Sequence, residues 1–171
     1  MVTPSTDDLQ ALAQALRSRG WLLATAESCT GGLIAAVCTS LAGSSEWFDR
    51  GFVTYSNEAK TQMLGVEAEL IAQHGAVSRE VACAMAAGAL QRSRAHLAVA
   101  VTGIAGPGGA VPGKPVGTVW LATAVQGQAP WARLLHCTGD RAAVRGATVD
   151  EAIAQLLRCA RETVHPAASG T

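Results

Sequence analysis

The sequence predicts an α/β protein in which helix layers sandwich a mixed, mostly parallel sheet. Three observations carry that expectation. Segments with helically spaced apolar residues alternate with short apolar runs, the order that buries a sheet between helices. Two apolar runs late in the chain flank "QGQA" and read as a hairpin, which makes the sheet mixed. The chain has 171 residues, 49% of them hydrophobic, enough for a single domain spanning residues 1–171 with a full core. No internal repeat or linker divides it.

The elements follow in order. "PSTDDLQALAQALRSRG" predicts a helix capped by Ser5 or Thr6, with Asp7 and Asp8 at its positive end and Leu9, Leu12, Ala13 and Leu16 facing inward; Gly20 stops it. "WLLATAE" reads as a buried strand, and "GLIAAVCTSLAG" as the helix after a Gly-Gly turn. "WFDRGFVTYS" is a second strand, and "NEAKTQMLG" a short helix starting near Asn57 and ending at Gly65. Two more helices follow, "EAELIAQHG" and "SREVACAMAAGALQRS", the second capped by Ser78 with Val81, Ala82, Met85 and Ala89 inside. Its Ala and Gly content implies close packing. "HLAVAVTG" is a central strand, "GIAGPGGAVPGKPVG" a loop, and "TVWLATAV" with "PWARLLHCT" the hairpin. The last helix starts near Asp140 and buries Val149, Ile153, Leu156, Leu157 and Ala160; "HPAASGT" reads as a frayed tail.

Charge and cysteine usage exclude several classes. Thirteen basic residues balance 13 acidic ones and no basic stripe appears, so nucleic acid is not an expected partner. Five scattered cysteines, without a C-x-x-C pair, read as reduced cytosolic thiols. Neither a signal peptide nor a membrane-spanning run is visible, so no membrane partner and a cytoplasmic location are expected.

The chemistry concentrates at three strand ends. "ESCTGG" joins a strand to a helix, where ligands bind in open α/β sheets and where the N–H groups of Thr30, Gly31 and Gly32 can hold an anion; the plain alternative is a tight turn. Within it Ser28 and Cys29 compete as nucleophiles. A thiol at a helix start can be activated, but none of His74, His96, His136 and His165 stands in a motif with Cys29, which then reads as packing. A serine can instead use a lysine whose pKa is lowered by burial. The only lysines are Lys60 and Lys114, and Lys60 lies five residues after the only tyrosine, Tyr55, one turn into the helix of "YSNEAK". The alternatives are a solvated lysine and a strand-end aromatic. "VTGIAGPGG" permits close backbone approach to a ligand but fits neither the dinucleotide fingerprint nor the P-loop. In "GDRAAVR", Arg141 and Arg145 share a helix face, ready for a phosphate or carboxylate or else paired with Asp140 and Glu151.

Taken together, "ATAESCTGGLIAA", "GFVTYSNEAKTQMLGV", "HGAVSREVACAMAAGAL", "AVAVTGIAGPGG" with "KPVGTVWLA", and "GDRAAVR" resemble the CinA C-terminal domain family of nicotinamide mononucleotide deamidases. The resemblance runs from Leu9 to Arg161 in order and spacing. It lacks the N-terminal molybdopterin-like domain of long CinA proteins, so the stand-alone form is expected. It implies a three-layer α/β/α sandwich, an amidohydrolase releasing ammonia from nicotinamide mononucleotide in pyridine-nucleotide salvage, a small-molecule nucleotide partner, and a homo-oligomer. No metal or organic cofactor is implied.

The family's catalytic Ser, Tyr and Lys fall on Ser28, Tyr55 and Lys60. Lys60 then takes the Ser28 proton directly or through Tyr55, and N–H groups from Thr30 to Gly32 form the oxyanion hole. Asn57, Thr102, Gly103, Ile104 and Gly106 are expected along the substrate, Arg141 on its charge, and Glu27 against Lys60 or a ribose hydroxyl. Two other readings compete: a non-catalytic nucleotide-binding module acting with protein partners in competence or DNA-damage responses, and a cysteine hydrolase using Cys29.

Overall fold

The computed structural model describes residues 6–162, so the alternative Ser5 cap and the tail from His165 lie outside the described residues. Five strands form one sheet: β1 (Leu23–Glu27), β2 (Phe48–Val53), β3 (Leu97–Gly103), β4 (Thr118–Val125) and β5 (Trp131–His136). Their order is β2-β1-β3-β4-β5. β1 pairs in parallel with both β2 and β3, and β4 pairs antiparallel with both β3 and β5. Only β4 therefore runs against the rest, as a hairpin appended to a parallel sheet requires.

The alternation inside the strands decides which helices cover each face. In "LAVAV" and "VWLATAV" large aliphatics alternate with alanine. Leu23, Leu97, Val99, Val101, Val119 and Leu121 point to one side, where α1 (Thr6–Arg19), α2 (Leu33–Ser40) and α6 (Arg141–Glu162) close the larger core. Ala24, Ala26, Ala98, Ala100, Ala122 and Ala124 point to the other, beneath α3 (Asn57–Leu64), α4 (Ala68–His74) and α5 (Arg79–Gln91). A flat alanine face lets the Ala-rich α5 lie close to the sheet. At Gly88 of α5 an added methyl group would overlap the Leu64 carbonyl, so the end of α3 also packs tightly on α5.

The expected inward residues of α1, α5 and α6 are buried, and Ser78 caps α5 by accepting from the Val81 amide. One boundary shift matters for the site: β2 stops at Val53 rather than Ser56, while α3 starts at Asn57 as expected, capped by Ser56 through the Ala59 amide. A 3-10 turn at Ser44–Glu46 was not visible in the sequence. No helix among the described residues is long and apolar enough to cross a membrane.

Candidate active site

The turn from β1 to α2 is organised by Glu27. Its side chain is fully buried, and Oε2 accepts from Thr30 Oγ1 at 2.6 Å, Gly32 N at 3.0 Å and Ile34 N at 3.0 Å, while Oε1 accepts from Ala35 N at 2.8 Å. α2 has no side-chain cap at its own first position, so this upstream carboxylate supplies one and sets a negative charge against the positive helix end. Gly31 and Gly32 follow with φ of 61° and 102°, a conformation that disfavours a side chain. The Ser28 amide donates to Val101 O at 3.1 Å, tying the turn to β3.

This corrects two expectations. Glu27 does not touch Lys60: its hydrogen bonds go to Thr30 and to the amides at the start of α2, and the Gly32, Ile34 and Ala35 donors hold it there. The donor cradle of Thr30 to Gly32 also contracts: the Gly31 amide donates to Ser28 O at 3.1 Å and the Gly32 amide to Glu27. The turn's own hydrogen bonds use neither the Cys29 nor the Thr30 amide.

α3 brings Lys60 to the same point. The side chain is 1% exposed, with Nζ donating to Thr54 O at 3.0 Å and lying 3.2 Å from Ser28 Oγ, itself buried. No carboxylate contacts the amine, and burial lowers its pKa below the ordinary 10.5, only weakly opposed by the nearby Cys29. Lys60 is thus not a solvated helix residue. Cys29 goes the other way: it is buried in the larger core and its thiol pKa is pushed up to about 12, so it stays protonated and unreactive.

Ser28 and Lys60 open on a pocket of about 220 Å³ that Cys29, Tyr55, Asn57, Thr102, Gly103 and Arg141 also line. Tyr55 is 61% exposed, and its hydroxyl accepts from Arg141 Nη2 at 3.0 Å; it bonds to neither Ser28 nor Lys60. Arg141 Nη1 donates to Gly106 O at 2.8 Å, and Arg145 Nη2 donates to Thr30 O at 3.0 Å. Neither guanidinium meets a carboxylate among the described residues. Asp140 instead caps α6 through the Ala143 amide, and Glu151 pairs with Arg133.

The remaining expected residues divide. Thr102 donates its hydroxyl to Ala76 O at 2.9 Å, and a side chain on Gly103 would crowd Val119 and Thr118 O. Ile104 and Gly106 do not line the pocket; the Ile104 amide pairs with Thr118 O, and Gly106 contributes its carbonyl to Arg141. Ala76, Val77 and Ala105 complete the wall, and no chemical signal in the sequence marks them. The capping role of Glu27 did leave a signal: an acidic residue just upstream of a helix start that has no Ser, Thr, Asn or Asp at its cap. Among the described residues no cluster of His, Cys, Asp and Glu can hold a metal ion. A larger cavity, of about 670 Å³, lies between β4, β5 and the end of α6, away from the Ser28 and Lys60 pair.

Fold and site together define an open α/β protein with a buried serine–lysine pair at the carboxyl end of a mixed sheet. Residues 6–160 match the CinA C-terminal domain, and the chain belongs to that family. The nicotinamide-nucleotide amidohydrolase PncC of Escherichia coli K12 is 58% identical over 134 residues, covering 78% of this chain and 81% of that protein. A putative competence-damage inducible protein of Symbiobacterium thermophilum is 53% identical over 157 residues, 87% of this chain but 37% of that longer protein. Among solved structures, the competence/damage inducible protein CihA of Agrobacterium tumefaciens superposes with a TM-score of 0.84 at 48% identity, covering 92% of this chain and 98% of that one.

Proposed function

We propose that this protein is an amidohydrolase that converts nicotinamide mononucleotide and water to nicotinic acid mononucleotide and ammonia, in pyridine-nucleotide salvage. The observation that carries the reading is the buried Lys60 amine, 3.2 Å from Ser28 Oγ and free of any carboxylate. Burial lowers the pKa of that amine, and the neutral amine is a base for a serine hydroxyl. The identity to proteins named nicotinamide-nucleotide amidohydrolase supports the substrate.

The chemistry follows from the geometry. Thr54 O accepts from Lys60 Nζ and holds the amine beside Ser28 Oγ, so that once neutral it has a lone pair available to the serine hydroxyl. Ser28 Oγ attacks the carboxamide carbon as Lys60 accepts its proton, and the amides of Cys29 and Thr30, which no backbone carbonyl among the described residues takes, receive the developing oxyanion. The carbon–nitrogen bond breaks, ammonia leaves with a proton supplied by the Lys60 and Tyr55 relay, and an ester on Ser28 remains. Water then attacks that ester, giving its proton to Lys60, and Ser28 recovers its own. Arg141, without a carboxylate partner, meets the substrate phosphate, with Asn57, Thr102 and Gly103 along the nucleoside. Glu27, Gly31 and Gly32 hold the turn rather than the ligand. The reading carries with it a cytoplasmic homo-oligomer, whose assembly light scattering tests and whose location cell fractionation tests.

Ammonia release from nicotinamide mononucleotide decides it. Turnover in wild type, lost in Ser28→Ala and kept in Cys29→Ala, is the expected result. The reverse pattern would establish a cysteine hydrolase. Nucleotide binding without ammonia release would establish a non-catalytic binding module.

A further inference from the structure

Within the pocket, one polar contact opposes the proposed chemistry. Tyr55 belongs to the proton relay on that reading, yet its hydroxyl accepts from Arg141 Nη2 at 3.0 Å and faces neither Ser28 nor Lys60. Arg141 is itself held to Gly106 O at 2.8 Å. The Tyr55 and Arg141 contact therefore joins the turn after β2 to the start of α6 and the loop after β3, across a pocket that all of them border. Tyr55 is 61% exposed, and the contact with Arg141 is the hydrogen bond its hydroxyl makes.

Resting on the amidohydrolase reading, we propose that Arg141 latches Tyr55 out of the reaction until the substrate's phosphate takes over the guanidinium, so that the phosphate is an activator as well as an anchor. A charged phosphate is a stronger acceptor for guanidinium N–H groups than a neutral phenol oxygen. Once Arg141 turns its Nη2–H to phosphate, the Tyr55 hydroxyl is released toward the Ser28 and Lys60 end of the pocket. There it gives its proton to the departing nitrogen as the carbon–nitrogen bond breaks, and the resulting phenolate takes back the proton that Lys60 removed from Ser28. Atoms and charge balance, and Lys60 ends neutral, ready for water. A nucleoside without phosphate would bind a pocket whose acid is still latched.

The account predicts activation in trans. Wild type should hydrolyse nicotinamide riboside slowly, and inorganic phosphate should raise kcat for the riboside about tenfold or more, since the latched state depletes the competent one. Tyr55→Phe should lose that activation. Arg141→Ala should lose it too, while hydrolysing the riboside faster than wild type does without phosphate. Because Tyr55 is the only tyrosine, protein labelled with 3-fluorotyrosine has one fluorine resonance to follow. Inorganic phosphate should move that resonance in wild type and leave it fixed in Arg141→Ala. Riboside turnover that phosphate leaves unchanged or inhibits, in enzyme that turns over the nucleotide, would overturn the latch alone. If neither substrate releases ammonia, the amidohydrolase reading fails, and the fluorine titration still decides whether phosphate displaces Tyr55 from Arg141.

Discussion

Two polar pairs share one pocket and are built in opposite ways. Ser28 and Lys60 are buried and held by backbone, with Thr54 O on the amine and Val101 O on the Ser28 amide. Tyr55 and Arg141 sit at the mouth, both exposed, held by each other and by Gly106 O. The dry pair suits chemistry, because removing water shifts the lysine toward its neutral form. The wet pair suits recognition, because partners at the surface exchange at small cost. Glu27 ties the turn that carries Ser28 to the start of α2 through four hydrogen bonds.

Breaking the dry pair should have the largest effect. Ser28→Ala and Lys60→Arg should each lower kcat for nicotinamide mononucleotide about a thousandfold or more, measured as ammonia release; the arginine retains charge but cannot act as a base. Lys114→Ala, on the β3 to β4 loop, is the control. Glu27→Gln comes next. It replaces a charged acceptor of four hydrogen bonds by an amide whose N–H₂ faces other donors, and should lower the unfolding free energy by about 2–4 kcal/mol in urea titrations.

Breaking the wet pair should cost less. Tyr55→Phe keeps the ring and loses the hydroxyl, so on the proposed mechanism kcat should fall about ten- to a hundredfold with KM little changed.

A stability measurement sharpens the contrast through pH. The folded Lys60 pKa lies below 10.5, so the folded protein loses this proton earlier than the unfolded chain as pH rises. Between the two values the unfolded state binds more protons, and stability climbs with pH. Lys60→Met lacks that climb, so wild type should gain on it as pH approaches 10.5 in parallel denaturation series. The smallest effect belongs to Cys29→Ala. A thiol with a pKa near 12 contributes packing only, and activity should stay within about threefold of wild type.

The fold was legible because its signals are local. Helical spacing, the Ser78 cap and Gly65 at the end of α3 can each be read in a window of a few residues, and the structure bears them out. The union of Ser28 with Lys60 was legible from the rarity of lysine and from both residues following strands that end at one edge. Long-range hydrogen bonding was not. Glu27 spends its carboxylate on amides up to eight residues ahead, and Arg141 reaches Tyr55 across 86 positions; no spacing rule encodes either choice. Likewise, the partners of Arg141 and Arg145 could not be chosen between nearby carboxylates and distant carbonyls until the chain was folded.

The central claim is that Lys60 works as a neutral base on Ser28, and chemical rescue tests it most directly. In Lys60→Ala the space left by the side chain should admit methylamine, and ammonia release from nicotinamide mononucleotide should recover in proportion to the unprotonated amine as pH is raised. Lys60→Ala that keeps the wild-type rate unaided, or a recovery that follows the protonated amine instead, would contradict the account.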